Sequence, residues 1–139
     1  MSVTPDVLQK VPFLADVSSK DLESLAQTMT ERDVPAGKDV VTQGSGGVAF
    51  FLILEGQATV VVDGEDRTTL GPADYFGEIA LILPDVPRTS TVRAESDLRL
   101  AALTTWNFRP FVMDHPKVAW ALLETLAKRF AQTPHISLV

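Results

Sequence analysis

The segment Phe76-Gly77-Glu78-Ile79-Ala80-Leu81-Ile82-Leu83-Pro84-Asp85-Val86-Pro87-Arg88-Thr89-Ser90-Thr91-Val92-Arg93-Ala94 has an internal physical logic. A glycine beside an acid, followed by the apolar run Ile79 to Leu83, reads as a turn of helix. Such a turn opens with free N–H groups and the positive end of the peptide dipole, which suits an anion. Pro87 then precedes Arg88, and Thr89-Ser90-Thr91-Val92 leads into a β-branched strand, so the guanidinium is held at a fixed place on a rigid edge. Arginine offers planar, paired donors that match a phosphate, a geometry that the point charge of lysine lacks. Glu78 is acceptor-only when ionised and suits the hydroxyl donors of a sugar. Taken alone, Glu78 and Arg88 would serve equally as a structural ion pair, which at a surface contributes little.

Outward from this segment, short β-branched runs alternate with Gly, Pro and Asp from Glu31 to about Leu103. Phe50 to Leu54 and Ala58 to Asp63 read as strands. Asp63-Gly64 is a tight hairpin signal, because both turn positions need positive φ, and Arg67 to Leu70 should return antiparallel. Pro35-Ala36-Gly37 reads as a turn and Gly44-Ser45-Gly46-Gly47 as a loose loop. Thr89 to Ala94 and Leu98 to Leu103 resume the strands beyond the central segment. The Asp63 to Asp66 cluster reads as a solvated hairpin tip.

Helical signals flank this β stretch. Ser18-Ser19-Lys20-Asp21 fits a capping box with Val17 and Leu22 as its hydrophobic staple, so a helix is expected from about Ser19 to Thr28. At the other end a short helical segment spans Trp106 to Met113 and a longer helix begins near Pro116, where proline suits the first turn. Val118, Leu122, Leu126 and Phe130, beside Ala119, Leu123 and Ala127, form a broad apolar face for the β core, a partner helix or both. Trp106 and Trp120 read as packing residues, and His115 as a helix-entry residue. The expected fold is mainly β: an antiparallel β-roll or jelly roll with an N-terminal helix and two C-terminal helices. The 139 residues read as one domain, with the roll at about 31–103 and the C-terminal helices at about 105–131.

Composition narrows the function. Cysteine is absent, which excludes disulfides, thiolate metal sites and cysteine nucleophiles. The net charge of −6 opposes a phosphate backbone, so no direct nucleic-acid contact is expected. Two histidines, His115 and His135, lie far apart, which argues against a metal enzyme of the cupin type. No apolar run approaches the ~20 residues that span a bilayer and no leader is legible, so the chain is expected to be cytoplasmic and off the membrane.

The central segment resembles the phosphate-binding cassette of cyclic-nucleotide-binding domains, the family of catabolite-activator-type regulators, kinase A regulatory subunits and cyclic-nucleotide-gated channels. That cassette is written Phe-Gly-Glu, an apolar pair, a variable loop, then Pro-Arg, small or hydroxylated residues and Val. Each element occurs here in order, with Glu78 and Arg88 ten positions apart, as in the bacterial regulators. The likeness extends upstream through Pro35-Ala36-Gly37, Gly44, Phe51 to Gly56 and Gly71, and downstream into the paired helices.

The resemblance implies that Arg88 and the N–H groups of Ala80 and Thr89 take the phosphate, and that Gly77 and Glu78 take the ribose hydroxyl. Ile79 and Ser90 complete the ligand-binding candidates. Cyclic AMP is the expected ligand and cyclic GMP the less favoured one, although a threonine after the arginine, as at Thr89, often accompanies cyclic GMP preference in the family. Thr133 is the candidate base contact in the tail. No catalytic residue, metal or cofactor is expected. The implied role is a sensor that signals through its C-terminal helices to an effector protein or a missing downstream domain, with a homodimer through the last helix a further expectation. The alternatives are a β-roll interaction scaffold without nucleotide affinity and the excised N-terminal sensor of a larger transcription regulator.

Overall fold

The computed structural model describes residues 3–84 and 86–132. The chain begins with helix α1 (Pro5–Leu8), a 3₁₀ turn (Pro12–Leu14) and α2 (Ser19–Thr28). Eight strands follow: β1 (Thr30–Val34), β2 (Asp39–Val41), β3 (Ala49–Glu55), β4 (Ala58–Val62), β5 (Glu65–Leu70), β6 (Tyr75–Phe76), β7 (Thr91–Ala94) and β8 (Leu98–Thr104). A second 3₁₀ turn (Glu78–Leu81) interrupts them, and α3 (Thr105–Asp114) and α4 (Pro116–Gln132) close the described chain. All strand pairs are antiparallel, in two four-stranded sheets ordered β1-β8-β3-β6 and β2-β7-β4-β5.

The period-2 pleat of β3 explains why Phe50 to Leu54 is apolar without interruption. Phe51 and Ile53 enter the core between the sheets with Val34, Val92 and Leu100, whereas Phe50, Leu52 and Leu54 enter a second core beneath the helices. β8 divides the same way, Leu98, Leu100 and Ala102 against Ala101 and Leu103. Both faces of this central sheet are therefore covered, and each fully buried Leu or Phe contributes roughly 1.5–3 kcal/mol relative to exposure. Phe13 joins the layers, with ring centroids 5.8 Å from Phe50, 5.8 Å from Tyr75 and 6.4 Å from Phe108.

Local signals were legible at several joints. Ser18 Oγ accepts from the Asp21 N–H (3.2 Å), and the staple residues Val17 and Leu22 are both buried. Asp63 and Gly64 take φ of 52° and 79° in the β4–β5 hairpin, as the tight turn requires. Helix α1 leaves no periodic signal in the sequence, because its four residues are too few to show a period; Thr4 caps it and Pro5 opens it.

Other expectations need correction. The apolar face of α4 is not uniformly used: Val118 and Leu122 are buried and Leu126 packs beside them, but Phe130 at the end of that stripe is 45% exposed, and Ala119, Leu123 (55% exposed) and Ala127 face outward. A helix resting on one layer buries one stripe, and the adjacent stripe is rotated out of reach. Trp106 and Trp120 are 61% and 66% exposed, so neither serves as a core packing residue. Among the described residues no helix is long and apolar enough to cross a membrane.

Candidate functional site

Strand β6 pairs with β3 through Leu52–Tyr75 and Phe51–Phe76, which places the next residue, Gly77, at the end of the central sheet. Gly77 adopts φ 83° and ψ 22°, a left-handed conformation that turns the chain into Glu78–Leu81. A Cβ at Gly77 would lie 2.8 Å from Arg88 Nη1 and 3.0 Å from the Ala49 carbonyl. The turn is tied to α3, because the Thr105 hydroxyl donates to the Ala80 carbonyl while the Thr105 N–H donates to Val48 O (3.0 Å). The Ala80 N–H donates to Gly77 O (3.1 Å), so an incoming anion would have to share it.

Arg88 is held by backbone on both sides. Its N–H donates to Ser45 O (2.8 Å) and its carbonyl accepts from the Gly44 N–H (2.9 Å), extending the strand edge into the glycine-rich loop. Its Nη2 donates to Ala49 O (2.8 Å), and a Cβ at Gly47 would stand only 2.6 Å from that nitrogen. The guanidinium therefore lies in a slot walled by Gly47 and Gly77, where burial pulls its pKa below the ordinary value. Gly47 escaped sequence reading because a Gly-Ser-Gly-Gly run looks the same in any loose loop.

Glu78 is 5% exposed, and its Oε1 accepts from Nη1 of Arg129 on α4. The Arg129 guanidinium also lies 5.3 Å from the Tyr75 ring centroid. Burial pushes the Tyr75 phenol up, against the opposing attraction of Arg129. Among the described residues no hydrogen bond or ion pair joins Glu78 to Arg88, so the structural-pair reading of those two does not hold. Instead Glu78 Oε2 and Arg88 Nε are each buried with no hydrogen-bond partner. Each group thus keeps one partner through its other atoms, and the unmet atom on each of these two pocket-lining residues is costly to bury unless something else meets it.

The seven residues Gly77, Glu78, Ile79, Ala80, Arg88, Thr89 and Ser90 all line a single pocket of about 260 Å³, just below the usual span of small-ligand sites. Arg129 lines it as well. Its floor follows from strand register. Val41 faces Val92 across β2–β7, Val92 faces Val60 across β7–β4, and Val60 faces Thr68 across β4–β5. These four form one cross-strand row, all lining the pocket, with Leu70 beside Thr68 on the same face. Thr68 is the polar member of this row, and nothing in the Arg67 to Leu70 stretch marks it out from sequence. Thr133 lies outside the described residues. Trp106 and Trp120 are not in the pocket lining, and among the described residues no cluster of three His, Asp or Glu could hold a metal ion.

A family model described as "Cyclic nucleotide-binding domain" matches residues 31–115. A cAMP-dependent protein kinase regulatory subunit of Yarrowia lipolytica is 41% identical over 115 residues, 79% of this chain and 30% of that protein. A CRP-like cAMP-activated global transcriptional regulator of Mycobacterium tuberculosis is 26% identical over 133 residues, 92% of this chain and 59% of that protein. The chain thus spans between about a third and three-fifths of these curated relatives. Among solved structures, the N-terminal domain of a transcriptional regulator from Streptomyces coelicolor superposes with a TM-score of 0.76 at 29% identity, covering 91% of each chain.

Proposed function

Since the chain belongs to the cyclic nucleotide-binding domain family, we propose that it is a cyclic AMP sensor that binds its ligand without turning it over and reports occupancy through α4. The observation that carries this reading is the pair of buried atoms without a hydrogen-bond partner, Glu78 Oε2 and Arg88 Nε, on two residues that line one pocket. A 3′,5′-cyclic phosphate supplies acceptors for the Arg88 guanidinium, and the ribose 2′-hydroxyl supplies a donor for Glu78. The glycine slot keeps Arg88 in one orientation, so little rotamer entropy is lost on binding. Gly77, Ile79, Ala80, Thr89 and Ser90 would surround the sugar-phosphate, with the Thr89 N–H, and the Ala80 N–H shared with Gly77 O, donating to the phosphate.

Preference for cyclic AMP over cyclic GMP is supported by the two relatives, whose names specify cAMP. Signalling through the C-terminal helices is supported by Arg129, which reaches from α4 to the same carboxylate that would take the ribose. A ligand hydroxyl donating to Glu78 Oε2 would share the carboxylate with the guanidinium that holds Oε1, which links the pocket to the position of the helix. The receiver would be an effector protein or a further domain, and the outward stripe of Leu123 and Ala127 would suit a second copy of the chain.

Titration calorimetry with cyclic AMP and cyclic GMP tests the reading. Saturable heat with cyclic AMP is expected, and no heat with either nucleotide at millimolar concentration would leave an interaction scaffold instead. In a thermal scan, ligand at 100 times its Kd adds about 2.7 kcal/mol, which for a domain of this size raises the midpoint by roughly 5–10 °C.

A further inference from the structure

His115 stands at the joint between α3 and α4 and is held by three elements. Its backbone N–H donates to Val112 O (3.1 Å), and its carbonyl accepts from the Val118 N–H (2.9 Å), so it closes one helix and opens the next. Its ring stacks on Phe111 at 4.3 Å between centroids. Nδ1 lies 2.8 Å from the Phe111 carbonyl, and Nε2 lies 3.1 Å from Asp21 Oδ2 on α2. Both of these partners are acceptors. A neutral imidazole has one N–H and one lone pair, so only the imidazolium satisfies both contacts.

We propose that His115, Asp21 and the Phe111 carbonyl form a pH-sensitive clamp that holds the α3–α4 joint against the N-terminal helices while His115 is protonated. Loss of the proton leaves a lone pair facing either a carbonyl or a carboxylate, so one of the two contacts must open. The capping-box signal at Ser18 hid this role, because Asp21 reads from sequence as a local cap residue. In the structure its backbone N–H serves the cap while its carboxylate crosses to the other end of the chain.

The charged surroundings favour the protonated ring. Asp21 faces it from α2 and Asp114 adjoins it at the end of α3; Asp16 from the loop before α2 and Lys117 from the first turn of α4 line the same cavity, and Lys20 neighbours Asp21. The hydrogen bond to Phe111, then that to Asp21, raises the His115 pKa above its ordinary 6.5. The hydrogen bond from His115, then that with Ser18, lowers Asp21 below its ordinary 3.8. A raised folded pKa for a cation gives stability that is fully present below 6.5 and lost as pH rises through the folded value. A lowered folded pKa for the acid gives stability present above 3.8 and lost as pH falls through its folded value. The clamp is therefore engaged between those two limits. This inference does not rest on the nucleotide reading.

The test follows the His115 imidazole resonances through a pH titration by NMR, in a His135→Gln background that leaves one histidine, and repeats it in Asp21→Asn. The expected result is a midpoint above 6.5 that moves down in Asp21→Asn, whose amide can pair with a neutral ring. Urea unfolding supplies the second readout: the stability advantage over Asp21→Asn should be present near about pH 5.5 and shrink by about pH 8.5. A midpoint at or below 6.5, a midpoint unmoved by Asp21→Asn, or an advantage that does not change with pH would each overturn the clamp.

Discussion

Arg129, near the end of α4, donates to the buried carboxylate of Glu78, a residue 51 positions earlier in the chain. Leu122 and Leu126 precede Arg129 on the core-facing side of the helix, so the half-exposed Arg129 side chain follows that stripe to the edge of the pocket. The desolvated member of the pair is Glu78, whose carboxylate is 6% exposed and costly to bury without a cation, and Arg129 supplies that cation.

Breaking this contact should be felt in both stability and binding. Half of the Arg129 side chain is solvent-exposed, so Arg129→Met is expected to cost only about 1–2 kcal/mol, less than a fully buried pair. A double-mutant cycle with Glu78→Gln in urea unfolding should return a coupling energy above ~0.5 kcal/mol. Additive losses would mean that the two residues act independently.

Arg88→Lys should fold with an unchanged far-UV spectrum and bind cyclic AMP roughly 10- to 100-fold more weakly, the equivalent of one or two charge-assisted hydrogen bonds. Calorimetry on the purified variant measures this. Affinity equal to that of the parent would remove Arg88 from the phosphate.

The two glycines that wall the guanidinium should respond differently to alanine. Gly77→Ala combines positive φ with a 2.8 Å approach to Arg88 Nη1, and the backbone cost alone is about 1–2 kcal/mol of stability. Gly47 carries no such φ, so Gly47→Ala should chiefly displace the end of the Arg88 side chain and weaken nucleotide binding with little change in melting temperature. A Gly47→Ala protein with full affinity would show that the slot is not needed.

Nucleotide discrimination should divide between two threonines. Thr89 adjoins Arg88, the residue proposed to meet the phosphate, whereas Thr68 ends the valine row of the pocket floor. Thr68→Val keeps the shape and removes the hydroxyl, so a purine lying on that floor should lose roughly 3- to 10-fold in affinity, and by different factors for cyclic AMP and cyclic GMP. Thr89→Ala should weaken cyclic GMP more than cyclic AMP if its hydroxyl reads guanine. Equal factors for both nucleotides in both variants would leave the discriminating residue elsewhere.

Much of this protein is set by neighbours in sequence. The turn that begins at Gly77-Glu78, the Asp63-Gly64 hairpin, the Ser18 cap and the Pro87-Arg88 step each depend on backbone chemistry within a few positions, so their residue types announce them. The alternation in β3 and β8 likewise follows from pleat and hydrophobicity, once both faces are seen to be covered. Tertiary structure alone decided which side of Arg88 meets Gly47, which strands bring Thr68 into line with three valines, and which of the two α4 stripes packs. It also sent Asp21 to His115 and Arg129 to Glu78. These contacts depend on how helices and sheets dock over long loops, where many registers bury similar apolar area. The polar pairing that distinguishes them appears only after the layers have closed.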